Sequence, residues 1–222
     1  MDFSLLLAQD AGEKFSWFHI LVWPGGGSIG ILLWLMSFAT LGLIIFEFIM
    51  IRRENVLPEM SRQQIQQLFE QKQYREAIDY TGDNPDFLSY VVHAALTEAP
   101  HGYTAMERAM EEAGEERTTQ LLRKIEWLNL IGNIAPMFGL LGTVWGMINA
   151  FFDIAAAGST PKPADLAESI GIALVTTMLG LVVAIPSLAI YSVLRSRIDA
   201  LTSEAMMASQ NLVATFRPGK KG

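Results

Sequence analysis

The chain has 222 residues, a formal net charge of −7, 51% hydrophobic residues and a mean hydropathy of +0.29. It contains no Cys, which excludes disulfides and thiolate metal sites, and His19, His93 and His101 share no metal-ligand spacing. The acidic balance and the lack of a basic patch argue against nucleic acid as a partner.

The apolar residues are bunched. Ser28 to Ile51 carries only Glu47, while Ile131 to Phe152 and Ser169 to Leu194 carry no charge at all. Each stretch extends roughly 33 Å or more as a helix, against a bilayer core of about 30 Å. A chain of 222 residues cannot bury three such helices on all sides. The expected fold is therefore all-α: a polytopic membrane protein with three transmembrane helices.

In chain order, residues 1–27 come first. Asp2 is early and the first cation is Lys14, unlike the basic start of a secretory signal. Phe15 to Trp23 is too short to span, and Pro24-Gly25-Gly26-Gly27 breaks it. With Trp17, Phe18 and Trp23 it suits the headgroup layer, and a short interfacial helix on the periplasmic face is expected. Span one covers 28–51. Glu47 sits near its inner end, from where it can reach the interface.

The loop 52–130 reads as helical. Ser61 with Gln64 forms a capping-box pattern for a helix to about Tyr80, followed by a turn at Gly82-Asp83-Asn84-Pro85. Asp86 caps a second helix to about Glu98, and Pro100-His101-Gly102 turns the chain again. Thr104 with Glu107 caps a third helix, apolar at Met106, Ala109, Met110, Ala113, Leu121, Ile125 and Leu128. Nothing stops that helix before span two at 131–152, where Pro136 is a candidate kink. The loop 153–168 ends in a capping box, Asp165 with Glu168, and span three covers 169–194 with Pro186 as a second kink site. In residues 195–222, Ile198, Leu201, Ala205, Ala208, Leu212 and Phe216 continue one helical face. Spans two and three are thus expected to extend into long cytoplasmic helices. Span one is not, because Pro58 cuts it.

Cations beside the spans set the orientation. Of the 16 Lys and Arg residues, all but Lys14 and Lys162 fall on one side, the cytoplasm by this rule. The N-terminus is then outside, periplasmic or extracellular, and the C-terminus cytoplasmic.

Spans two and three each carry a stripe of small residues. In span two it runs Ala135, Gly139, Gly142, Thr143, Gly146 and Ala150; in span three, Ala173, Thr176, Thr177, Gly180, Ala184 and Ser187. Small faces let helices approach closely in lipid. Thr143 lies nine residues before Phe152 and Thr177 eight after Ser169, so both hydroxyls sit about 12–14 Å below the outer boundary. They either line a polar path or bond to their own i−4 carbonyls. No Asp, Glu, Lys, Arg or His lies in the middle of any span, so a conducted ion needs a titratable group from a partner. An intramembrane enzyme would need a Ser, His or Asp constellation in the spans, and a solute transporter usually has more spans and internal repeats; neither pattern occurs here.

Two long motifs carry a resemblance. The first is Ala135-Pro136-Met137-Phe138-Gly139-Leu140-Leu141-Gly142-Thr143-Val144-Trp145-Gly146-Met147-Ile148; the second is Ala173-Leu174-Val175-Thr176-Thr177-Met178-Leu179-Gly180-Leu181-Val182-Val183-Ala184-Ile185-Pro186. In order, spacing and three-span setting the chain resembles the ExbB, TolQ and MotA family over roughly residues 28–205. MotA has four spans, so the ExbB and TolQ branches are nearer. The resemblance implies a homo-pentameric ring around a pair of single-span ExbD- or TolR-like helices bearing an aspartate. It implies that the ring and the pair rotate relative to one another as ions pass. H+ is the implied ion, with Na+ as the alternative, and no cofactor is needed. A TonB-like protein and membrane lipids are further implied partners. The family's two membrane threonines map onto Thr143 and Thr177, with Thr176 beside them. One departure is Ile172, where many relatives have glutamate. A TolQ-like envelope-maintenance subunit and a non-conducting scaffold are the alternative readings.

Overall fold

The computed structural model describes residues 28–156 and 163–217. The expected interfacial helix before Pro24 falls outside them. All the regular structure among the described residues is helical: α1 (Ser28–Met50), α2 (Arg53–Val56), α3 (Glu59–Glu70), α4 (Tyr74–Asp83), α5 (Phe87–Thr97), α6 (Tyr103–Ala156) and α7 (Pro163–Val213), with 3-10 turns at Ala99–His101 and Ala214–Phe216. Three helices, α1, α6 and α7, are long and apolar enough to cross a membrane. The chain is a multi-pass membrane protein. At 54 and 51 residues, α6 and α7 reach about 80 Å, far more than a bilayer core needs.

The chain divides into two compact units, one of residues 1–42 and 129–188, the other of 43–128 and 189–222. In the first, Leu33 of α1 packs with Ala135 of α6 and with Val183 and Ala184 of α7; Met36, Phe138 and Leu179 close around them. The rest of the apolar surface points outward, at Phe38, Met137, Leu140, Trp145 and Ile185 among others. That is the arrangement lipid tails require.

The second unit has a conventional core. Phe87, Leu88, Val91, Val92, Ala95 and Leu96 bury one face of α5 against Ile65, Leu68 and Phe69 of α3 and Ala77 of α4. Met106, Met110, Ile125 and Leu128 of α6 and Leu194, Ile198, Leu201, Ala205 and Leu212 of α7 complete it. Phe216 packs edge-on to Phe69 with ring centres 5.2 Å apart, fastening the end of α7 to α3.

Helix ends depart from the sequence expectation in five places. Ser61 is not an N-cap. Pro58 holds that position, and the Ser61 hydroxyl donates instead to Asp86 Oδ2 at 3.0 Å, a charge-assisted bond stronger than a neutral cap. The helix expected to run to Tyr80 is interrupted at Gln71–Gln73. There Gln73 N–H donates to Leu68 O at 2.9 Å and Lys72 N–H to Phe69 O at 3.1 Å, a Schellman ending with Lys72 at φ 59°. The chain resumes as α4 and stays helical through Gly82 and Asp83, where a turn was expected. Thr104 is not a cap either. Gly102, at φ 94°, turns the chain, and its carbonyl accepts from Ala105 N–H and Met106 N–H. Finally, Pro163 is already helical, so Asp165 lies inside α7 rather than at its cap. Asp86, by contrast, caps α5 as expected, accepting from Ser89 N–H at 2.8 Å.

Candidate functional site

The two small-residue stripes meet each other. A Cβ on Gly139 would lie 2.9 Å from Thr177 Cα, and one on Gly180 only 2.6 Å from the Ala135 carbonyl oxygen. One on Gly142 would lie 2.5 Å from Thr176 Oγ1, and one on Gly146 3.0 Å from Ala173 Cβ. As the position on α6 advances by three or four, its partner on α7 steps back by a similar amount, so the two stretches run antiparallel with their backbones nearly touching. Ala135, Gly139, Gly142, Ala173, Gly180, Ala184 and Ser187 are all buried, as is Ala150. Gly146 is half-buried. The stripes therefore pack the chain against itself.

Within this seam two hydroxyls, those of Thr176 and Thr177, gather around one carbonyl, with a third, that of Thr143, on the next carbonyl along α6. Thr177 Oγ1 donates across the helices to Gly139 O at 3.0 Å. Thr176 Oγ1 donates to Ala173 O at 2.7 Å and lies 3.3 Å from the same Gly139 O. Thr143 Oγ1 donates to Leu140 O at 2.7 Å, and in an α-helix its backbone N–H points at Gly139 O as well. Thr176 is 1% exposed and Thr143 8%, with Thr177 half-buried. Back-bonding within a helix thus holds for Thr143 and Thr176, to i−3 carbonyls, whereas Thr177 reaches the neighbouring helix. Every hydroxyl proton is committed to a carbonyl. The chemistry left to these oxygens is acceptance: they can take a proton donor or a cation, and they cannot titrate.

The helices continue unbroken through Pro136, half-buried, and Pro186, exposed. Each ring removes one main-chain bond, leaving the Gly132 and Val182 carbonyls without their usual i+4 donors. Ile172 is half-buried beside Ala173 and brings no charge to the seam.

Three residues add to the sequence picture. Gly132 extends the seam, since a Cβ there would lie 2.6 Å from Leu188 Cγ; its place seven residues before Gly139 was a usable signal. Thr40 of α1 is buried, and its hydroxyl has no hydrogen-bond partner among the described residues. Glu47 is turned into the protein: it is 3% exposed, its Oε2 has no hydrogen-bond partner among the described residues, and Lys124 of α6 supplies a counter-charge. The charge pattern of span one does not reveal this, because it says nothing of which face of α1 turns inward.

The sequence profile of the MotA/TolQ/ExbB proton channel family matches residues 83–207, which hold the whole seam. The chain belongs to that family. An ExbB homologue of Methanothermobacter thermautotrophicus is 36% identical over 124 residues, 56% of this chain and 43% of that protein. The biopolymer transport protein ExbB of Pseudomonas putida is 32% identical over 164 residues, 68% of this chain and 49% of its own length. The biopolymer transport protein exbB1 of Vibrio cholerae serotype O1 is 41% identical over 75 residues, 34% of this chain and 33% of that protein. The chain thus spans less than half the length of each of these MotA/TolQ/ExbB relatives.

Proposed function

We propose that this chain is the ExbB-type, ion-conducting subunit of a motor in a bacterial inner membrane. With an ExbD-like single-span partner it converts proton motive force into mechanical work for TonB-dependent outer-membrane transport. It works as a ring of five around the partner helices, with its N-terminus in the periplasm and most of its soluble mass in the cytoplasm. It is a transport subunit and not an enzyme.

The observation that carries this reading is the convergence of Thr176 and Thr177 on the Gly139 carbonyl, with Thr143 bonded to the adjacent Leu140 carbonyl, inside the family-matched stretch. Such a cluster supplies oxygen acceptors at membrane depth without a charge of its own. The titratable group is the partner's aspartate. A charge at the centre of a span costs about 2.5–3.5 kcal/mol on insertion scales, so the partner's aspartate is held there in its protonated form, whose O–H these acceptors can take. The membrane potential contributes about 2.3 kcal/mol per charge per 100 mV, enough to bias a protonation step placed within the field. Thr177 is the hydroxyl to act on a passing ion, because it is the most open of the three and ties α6 to α7 at the same time.

The test is voltage-driven proton flux into liposomes. The full ring with its partner is expected to conduct, while the ring alone, and the ring with the partner's aspartate changed to asparagine, are not. Thr177→Val should lower flux at least tenfold with assembly intact, Thr177→Ser should restore it, and Thr143→Val should fall between. Undiminished flux in the valine variants would remove the threonines from the route. Specific flux through the ring alone would overturn the division of labour.

A further inference from the structure

We propose that a cavity at the inner end of span one binds the headgroup of a membrane phospholipid, with its phosphate on Lys124. The cavity measures about 550 Å³, within the usual range for small-molecule sites. Its walls come from the end of α1 (Met50, Ile51), the start of α5 (Phe87) and the flank of α6 (Arg117, Leu121, Lys124). All of these belong to the second unit.

The position points to lipid. Met50 is the last residue of span one, and Lys124 precedes the charge-free stretch of α6 by seven residues, about 10 Å along the helix. Met50 therefore stands at the edge of the hydrocarbon and Lys124 farther out, on the headgroup side, with Met50, Ile51 and Leu121 as an apolar wall for the adjoining chain.

The charges point to a zwitterionic phosphodiester. Besides the two cations, the lining holds two acids, Asp86 and Glu54. Asp86 is engaged: it accepts from Ser89 N–H and Ser89 Oγ at 2.8 Å each and from Ser61 Oγ at 3.0 Å. Arg117 is fixed in place. It donates to Pro85 O and to Gln120 Oε1, both at 2.9 Å, and stacks 4.7 Å over the Tyr90 ring. Lys124 makes no ion pair within 4 Å among the described residues, although its charge also acts on the buried Glu47 carboxylate. Its ammonium has donors to spare for a phosphate, and Glu54 is the open acid for the headgroup's own ammonium. Phosphatidylethanolamine carries both groups.

Native mass spectrometry of the protein, delipidated in detergent and titrated with phosphatidylethanolamine, tests the assignment without reference to ion conduction. Lys124→Gln should weaken binding about fivefold, the loss expected for one lysine at a membrane surface. Lys124→Arg should retain it. Leu121→Trp, which fills the cavity and leaves the charges alone, should also weaken it. Arg123→Gln is the control, since the neighbouring cation lies outside the cavity lining, and it should bind as the parent does. Equal losses in Arg123→Gln and Lys124→Gln would reduce the effect to general surface charge and overturn the site. Equal retention of diacylglycerol, or displacement of the lipid by inorganic phosphate, would overturn the headgroup assignment.

Discussion

At the scale of single residues, the seam turns on two glycines whose missing side chains let main chains touch. A methyl group on Gly139 or Gly180 meets backbone atoms of the facing helix rather than flexible side-chain ends. Overpacking of this kind costs about 1–3 kcal/mol. Gly139→Ala and Gly180→Ala should each lower the detergent-solubilised melting temperature, whereas Gly42→Ala, with nothing within 4 Å, should leave it unchanged or slightly higher. If all three behaved alike, close approach would not be what the seam depends on. Lys72 offers the opposite case. It occupies the left-handed corner of a Schellman ending, which suits glycine. Relieving the side-chain strain there gains up to about 1–2 kcal/mol, partly offset by glycine's freedom in the unfolded chain. Lys72→Gly should therefore stabilise the protein by about 1 kcal/mol or less in thermal melts, and Lys72→Val should destabilise it.

At the scale of elements, Asp86 joins two helices, capping α5 while taking the hydroxyl of Ser61 from α3. Asp86→Ala should cost about 1–2 kcal/mol, read as a lower denaturation midpoint, and Asp86→Asn should recover part of it. The same elements show what the sequence made legible. The three spans and the long α6 and α7 followed from charge-free windows and from the lack of any break between residues 115 and 131. The caps around residues 61, 104 and 165 were misplaced because a Ser, Thr or Asp followed by an acid or Gln is a local pattern. Pro58, Gly102 and Pro163 act directly on the backbone and decided where the helices began. The small-residue stripes were visible from their spacing. What they face was not, since one periodicity serves packing within a chain and docking of another equally well. The inward turn of Glu47 was not legible for a related reason: a window hydropathy treats a helix as a cylinder with no inside.

At the scale of the whole molecule, the outward apolar residues of α1 and α6 leave much surface that a single chain does not cover. The closed ring proposed above would dispose of it by symmetry, with lipid covering the remainder. Native mass spectrometry in mild detergent should show one closed oligomer, of five copies on the reading proposed above, and a stable monomer would contradict that reading. The prolines carry a mechanical consequence. A helix is stiff because its hydrogen-bond rungs repeat without a gap, and α6 and α7 each lose a rung within residues 129–188, opposite Gly132 and Val182. Bending compliance is then not spread along 50-residue rods but concentrated beside the glycine seam, much as a notch sets where a beam flexes.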